Sequence, residues 1–157
     1  MDWRLFRGWR AGDAWLLPAL RRSFAYTGGD RATGWLWLPD RPPHVTWPLA
    51  FADLGPDLLL ELQALLDMQV SAVCYQAYRD GAGTGWHHDR DWGAQAILSL
   101  GVTRSFAVRR PGEVAQFPLA HGDLLYMPPG FQDEWEHCVP QEDVPGERCS
   151  LVFRATP

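Results

Sequence analysis

Five short apolar runs, each bounded by Gly, Pro or a charged residue, limit what this chain can fold into. They are SAVCYQAY (71–78), QAILSL (95–100), RSFAVR (104–109), DLLYMP (123–128) and RCSLVFR (148–154). Each is too short for an ordinary helix. Strands at this density, with turn residues between them, indicate a sandwich, jelly roll or barrel. The 15 Gly and 13 Pro among 157 residues exceed the combined average of roughly 12% and favour many turns over a helical bundle. One clear helix is expected from Pro56 to about Gln69, where Leu58, Leu62, Leu65 and Leu66 recur at helical spacing behind a first-turn proline. Residues 35–48 read as a short strand followed by a Pro-rich loop, and residues 1–30 show no period and read as an irregular arm. The expected class is mainly β (α+β): a helix-bearing N-terminal third against an all-β remainder, in one domain spanning 1–157.

No stretch approaches the roughly 18–20 apolar residues of a membrane helix, and the N-terminal residues lack the apolar core of a signal peptide. Cys74, Cys138 and Cys149 are odd in number, have no zinc-like spacing, and read as reduced thiols. A cytoplasmic monomer without membrane contact is therefore expected. The net charge of −5 argues against tight non-specific binding to a polyanion.

Chemistry concentrates in Gly85-Trp86-His87-His88-Asp89-Arg90-Asp91. On a strand, His87 and Asp89 would share a face, and an imidazole and a carboxylate so placed can hold one metal ion. His137 is the natural third ligand, completing the two-histidine, one-carboxylate set of non-haem Fe(II) oxygenases. The H-x-D pattern is weak alone, since a chain of this composition yields about 0.4 such patterns by chance. A solvated polar loop is the bland alternative. In 148–154 the two-residue period puts Arg148, Ser150, Val152 and Arg154 on one face. A cation on the inner face of a buried strand is costly unless paired, and a dicarboxylate would pair it. One structural and one surface arginine would look the same in the sequence. Gln76 and Tyr78 share a strand face ending at Asp80-Gly81, and each can hydrogen-bond a carboxylate or keto group.

These motifs occur in a particular order: Tyr78-Arg79-Asp80-Gly81, His87-His88-Asp89-Arg90-Asp91, Ser99-Leu100-Gly101 with Arg104-Ser105-Phe106, His121-Gly122-Asp123, His137 with Pro140, and Arg148 to Arg154. In that order the chain resembles the AlkB family of Fe(II)/2-oxoglutarate-dependent dioxygenases over about residues 70–154. Residues 34–48 resemble, more loosely, the aromatic and Pro-rich stretch ahead of the family's core. The resemblance implies a double-stranded β-helix, a jelly-roll variant, with the catalytic core at 70–154 and residues 1–50 as a candidate substrate-recognition arm. It implies Fe(II), 2-oxoglutarate and O2 as cofactor and co-substrates, with His87, Asp89 and His137 on the iron. Arg148 and Arg154 would hold the co-substrate carboxylates, and Tyr78 would hydrogen-bond the same molecule. Gln76 stands where the family usually has Asn.

For the substrate side, the resemblance implies Asp91 near the base, with Trp35, Trp37 and Tyr26 as stacking candidates. The implied activity is oxidative dealkylation of N-alkylated bases in DNA or RNA, a direct repair of alkylation damage, on a single-stranded or flipped-out base. The alternatives are the same iron chemistry on a protein side chain, a modified tRNA or a small metabolite, and a jelly-roll binding module with no enzymatic role.

Overall fold

The computed structural model describes residues 3–26, 28–37 and 49–157, with the side chains of Trp37 and of 49–56 left aside. Its elements run β1 (Arg4–Phe6), α1 (Leu16–Arg21), β2 (Arg31–Trp37), α2 (Leu49–Leu66), β3 (Ala72–Arg79), β4 (Gln95–Gly101), β5 (Arg104–Arg110), β6 (Glu113–Leu119), β7 (Leu124–Met127), α3 (Phe131–Glu134), β8 (Glu136–Cys138) and β9 (Glu147–Arg154). The strands form a six-stranded sheet in the order β1-β7-β4-β9-β3-β2 and a three-stranded sheet in the order β6-β5-β8. The ladders are antiparallel. All five expected strands are present within a residue or two of their expected limits.

The large sheet is apolar on both faces, and the two-residue period decides which side chain goes where. Cys149, Leu151 and Phe153 of β9, with Tyr75 and Ala77 of β3 and Leu98 and Leu100 of β4, pack against Leu16, Leu20, Leu62 and Leu66 of the helices. The opposite face carries Val152, Tyr78, Ile97 and Met127, which meet Phe106 and Val108 of β5. Burying each Leu, Ile or Phe contributes about 1.5–3 kcal/mol. The chemistry-bearing residues of β3 and β9 alternate with the helix-facing set, so they lie between the sheets.

The N-terminal third departs from expectation. Residues 3–21 are not an irregular arm: β1 extends the large sheet beside β7, and Leu16, Leu17 and Leu20 of α1 are buried. Three- and six-residue elements are too short to show a period. Helix α2 starts at Leu49 and runs through Pro56, because the Ala- and Leu-rich stretch before the proline is itself helix-forming. It ends where Asp67 turns left-handed at φ 48° and the Gln63 side chain accepts the Val70 N–H at 2.9 Å. Strand β6 and helix α3 were not expected. The Pro-rich stretch after Trp37 lies outside the described residues.

Two ties fix the end of the sandwich near the chemistry-bearing residues. Gly81 is left-handed (φ +82°), and a Cβ there would run into the Glu142 carbonyl. The buried Arg104 guanidinium donates to the carbonyls of Gly81 (3.1 Å) and Pro140 (2.7 Å) and to the Glu142 carboxylate (3.1 Å). It thereby binds the ends of β3 and β8 to β5. The three cysteines are buried and unpaired. No helix among the described residues is long and apolar enough to cross a membrane.

Asp123 ties β1 to the body of the sheet, accepting the N–H groups of Gly8 (2.8 Å) and Ala120 (2.9 Å) and the Arg7 guanidinium (2.7 Å). Burial raises its pKa, but these donors outweigh it and hold the carboxyl below the usual range. A depressed carboxyl stabilises above its unfolded pKa of about 3.9, and that stability is lost as the pH falls through the folded value. Asp123→Asn is expected to cost roughly 1–3 kcal/mol at pH 7. The difference from wild type should shrink below about pH 4, as read by urea midpoints across the pH range.

Candidate metal centre

Residues 84–89 are not a strand. The segment runs along the free edge of β8 and touches it at a single bridge, where His87 N–H donates to the His137 carbonyl (3.1 Å) and His137 N–H to that of His87 (3.0 Å). One step earlier, Thr84 N–H donates to the Val139 carbonyl (2.8 Å), and Val139 N–H donates to the Thr84 hydroxyl (3.0 Å). A turn closed by Trp92 N–H on the Asp89 carbonyl (3.1 Å) then swings Asp89 inward. The expected pairing of His87 with Asp89 is reached, but through a bridge and a turn rather than strand alternation.

The three side chains converge. His87, Asp89 and His137 each offer a ligand atom, and these atoms lie within 4.8 Å of one another. His137 Nε2 is 3.2 Å from Asp89 Oδ2, and His87 Nε2 is 4.0 Å from Asp89 Oδ1. Nitrogen and oxygen ligands bind a divalent ion at about 2.0–2.2 Å. Neighbouring donors then sit about 3 Å apart, so only His87 has to close in. His87 Nδ1 is 2.7 Å from the Gly85 carbonyl, which selects the tautomer with its proton on Nδ1 and leaves Nε2 free to bind. Two imidazoles and one carboxylate suit Fe(II) and leave coordination positions for other ligands. Among the described residues no further His, Cys, Asp or Glu joins the group.

Asp89 is held from several sides. Its N–H donates to Gln132 Oε1 (2.8 Å), Gln95 Nε2 donates to its carboxylate (3.4 Å), and Arg154 Nη1 is 3.9 Å from it. Burial pushes the Asp89 carboxyl up, but His137 and the Arg154 charge outweigh that and hold it well below the usual range. Burial lowers the pKa of His137, against the pull of Asp89, which favours the neutral imidazole a metal needs. Phe106 stacks on the His137 ring, with centroids 5.7 Å apart.

A cleft runs from these ligands along the inter-sheet face, lined by Gln76, Tyr78, Gln95, Ser150, Val152 and Arg154 among others. Arg154 stands at the metal end, its guanidinium 5.9 Å from the Trp35 ring and 5.5 Å from the Trp92 ring. Arg148 lies six residues back on the same face, fully buried, with its guanidinium 5.5 Å from the Tyr78 ring. Arg148 Nε donates to the Ser99 hydroxyl (3.1 Å), while both Nη atoms have no hydrogen-bond partner. The Tyr78 hydroxyl donates to Gln76 Oε1 (2.7 Å). A buried guanidinium with unpaired donors fits a bound carboxylate. Six residues of strand separate the two arginines, about 20 Å along the backbone, so the two side chains would have to lean toward each other to share one small diacid.

Other expected residues fall differently. Tyr26 packs on the helix-side core, behind the sheet from the ligands. Its hydroxyl donates to Glu147 (2.9 Å), and Arg79 covers its ring, so a base-stacking role does not fit it. Asp91 is exposed in the turn after Asp89. The Trp37 side chain lies outside the described residues. His88 contacts the Gln132 carbonyl at 2.9 Å, and Glu136 pairs with Arg109 at 2.6 Å; neither joins the ligand group. Sequence reasoning missed Gln95, Gln132 and Trp92, because no motif marks a residue that supports a ligand, and it gave Ser99 no role of its own.

Comparison with known proteins agrees with this geometry. The model of the 2OG-Fe(II) oxygenase superfamily matches residues 37–154. The human alpha-ketoglutarate-dependent dioxygenase alkB homolog 3 is 32% identical over 101 residues, covering 54% of this chain and 35% of that protein. The chain thus spans about a third of the length of the curated relatives it matches. A Burkholderia pseudomallei oxidoreductase of the 2OG-Fe(II) oxygenase family superposes with TM-score 0.70 at 16% identity, over 98% of this chain and 83% of that one. The structure of OsALKBH1 gives 0.62 at 17% identity, over 98% and 96%. These likenesses support the jelly-roll fold.

Titration of the metal-free protein with Mn(II), a redox-stable substitute for Fe(II), is expected to show one site that His137→Ala abolishes. Gln132→Ala, which frees the Asp89 N–H, should weaken binding about 10–100-fold. Retention of full affinity in His137→Ala would count against the triad.

Proposed function

The chain belongs to the 2OG-Fe(II) oxygenase superfamily, and on that premise we propose that it removes N-alkyl groups from nucleobases of DNA or RNA. The observation that carries this reading is the juxtaposition of the three metal donors with the buried Arg154 in one cleft, and a second buried guanidinium, Arg148, six residues back on the same strand face. The motif order shared with the AlkB family supports the nucleobase as substrate. The relative named alkB homolog 3 is similar over 54% of the chain.

His87, Asp89 and His137 would hold Fe(II), which with 2-oxoglutarate and O2 supplies an oxidant able to hydroxylate a substrate C–H while the keto acid loses CO2 and becomes succinate. The protein's part is to place and orient. Arg148, with both Nη atoms unpaired, takes the distal carboxylate of the co-substrate, and its Nε bond to Ser99 stops it from swinging away. Tyr78 stacks beneath the guanidinium. Arg154, beside Asp89, takes the end nearest the metal. His137 is buried and His87 half-exposed, so substrate approaches from the His87 side. A base enters that side only when unpaired or flipped out, at a cost of a few kcal/mol, and an aromatic face returns about 1–3 kcal/mol by stacking. Trp35 and Trp92 are the tryptophans beside Arg154. Hydroxylation of an N-methyl group gives a hydroxymethyl amine, which releases formaldehyde and the free base.

Incubation with Fe(II), 2-oxoglutarate and oligonucleotides bearing 1-methyladenine or 3-methylcytosine is expected to release formaldehyde and succinate in equal amounts. Turnover of 2-oxoglutarate that ignores every oligonucleotide would turn the reading toward a protein side chain, a modified tRNA or a small metabolite. Arg148→Met should raise the KM for 2-oxoglutarate by at least about 30-fold, since removing one side of a buried charge pair costs roughly 2–5 kcal/mol. A KM unchanged in that variant would exclude Arg148 as the anchor.

A further inference from the structure

One polar group in the cleft has no part in the chemistry above. Gln95 opens β4, is 1% exposed, and lines the cleft beside Asp89, His137 and Arg154. Its neighbours on the same sheet face are the apolar Ile97, Met127 and Val152 and, directly across the ladder on β9, Arg154.

A buried amide has two donors and one acceptor to satisfy. Gln95 Nε2 donates to the Asp89 carboxylate at 3.4 Å. That contact also sets the amide's orientation, because Oε1 turned toward an anion would be repelled. Oε1 is left pointing away from Asp89 with no hydrogen-bond partner. An unmet buried acceptor costs about 1–3 kcal/mol; the Nε of Arg154, its register partner on β9, is likewise unpaired and makes no hydrogen bond to it, which leaves room for a donor brought in with the site's ligands. The ionised carboxylates and keto group of 2-oxoglutarate only accept. A water on the metal donates, and Asp89 already holds the amide at the edge of the metal's surroundings.

We propose that Gln95 is a positioning residue of the metal centre: its Nε2 steadies the Asp89 carboxylate, and its Oε1 accepts a hydrogen bond from a water on the metal. The inference rests on His87, Asp89 and His137 binding that ion. It adds a supporting amide on β4, beside the Gln132 amide that holds the Asp89 main chain.

The test uses Mn(II) on the whole chain, with electron paramagnetic resonance of free Mn(II) for affinity and water-proton relaxation for water on the bound ion. Gln95→Leu and Gln95→Met keep the volume and remove the polar atoms, so both are expected to fold with thermal midpoints no lower than wild type. Each should bind Mn(II) about 10–100-fold more weakly. The relaxation per bound ion should also change, because its water has lost an acceptor. Affinity within twofold of wild type in both variants, with unchanged relaxation, overturns the proposal. Weakened affinity with unchanged relaxation overturns the water contact and supports the hold on Asp89. Wild-type protein that binds no Mn(II), or His137→Ala that binds it normally, overturns the triad itself and is told apart by that control.

Discussion

Two backbone hydrogen bonds exchanged between His87 and His137 govern the geometry of the site. They form the bridge that joins a loop to the short strand β8. Without them the two imidazoles would belong to separate parts of the chain. With them the ring centroids sit 4.3 Å apart, and Asp89, two residues on, opens the turn closed by the Trp92 N–H. Strand β8 is in turn held by β5 on its other edge, and Arg104 ties the following loop to β5. The position of the ligands is thus inherited from backbone pairing, which side-chain substitution disturbs little.

The second constraint is the use of both faces of one sheet. Strand β9 gives Cys149, Leu151 and Phe153 to the helices and Arg148, Ser150 and Arg154 to the space between the sheets. A guanidinium in that space is stable only with partners. Arg154 has Asp89 and two indole rings, while Arg148 has one serine, one tyrosine ring and two unpaired Nη atoms. The pairing is uneven: Arg154 keeps one unpartnered nitrogen, its Nε, and Arg148 keeps two.

Much of this was legible from residue order. The two-residue period placed the β9 arginines together because strand alternation is a local property. His87, Asp89 and His137 stood out as residue types with metal affinity. The segment's conformation was not legible, since an isolated bridge leaves no periodic trace. The N-terminal third was misread for the same reason: β1 and α1 owe their form to β7 and to the shared core rather than to their own few residues. Gln95, Gln132 and Trp92 were invisible because a supporting amide or indole has no fixed spacing from the ligand it serves. Tyr26 shows the converse: an aromatic ahead of β2 that packs with the helix-side core, a placement its own short segment does not signal.

The unequal burial of the two imidazoles sets a one-way traffic pattern. His137 is walled in by Phe106, Phe131 and β5, whereas His87 stands at the rim with its ring fastened to Gly85. Small solutes, chelators and an incoming ion all meet the rim imidazole first and the inner one last. A captured ion is therefore anchored at the back and negotiated at the front, and the rim, with Trp86 and Arg90 beside it in the chain, controls what can take it away.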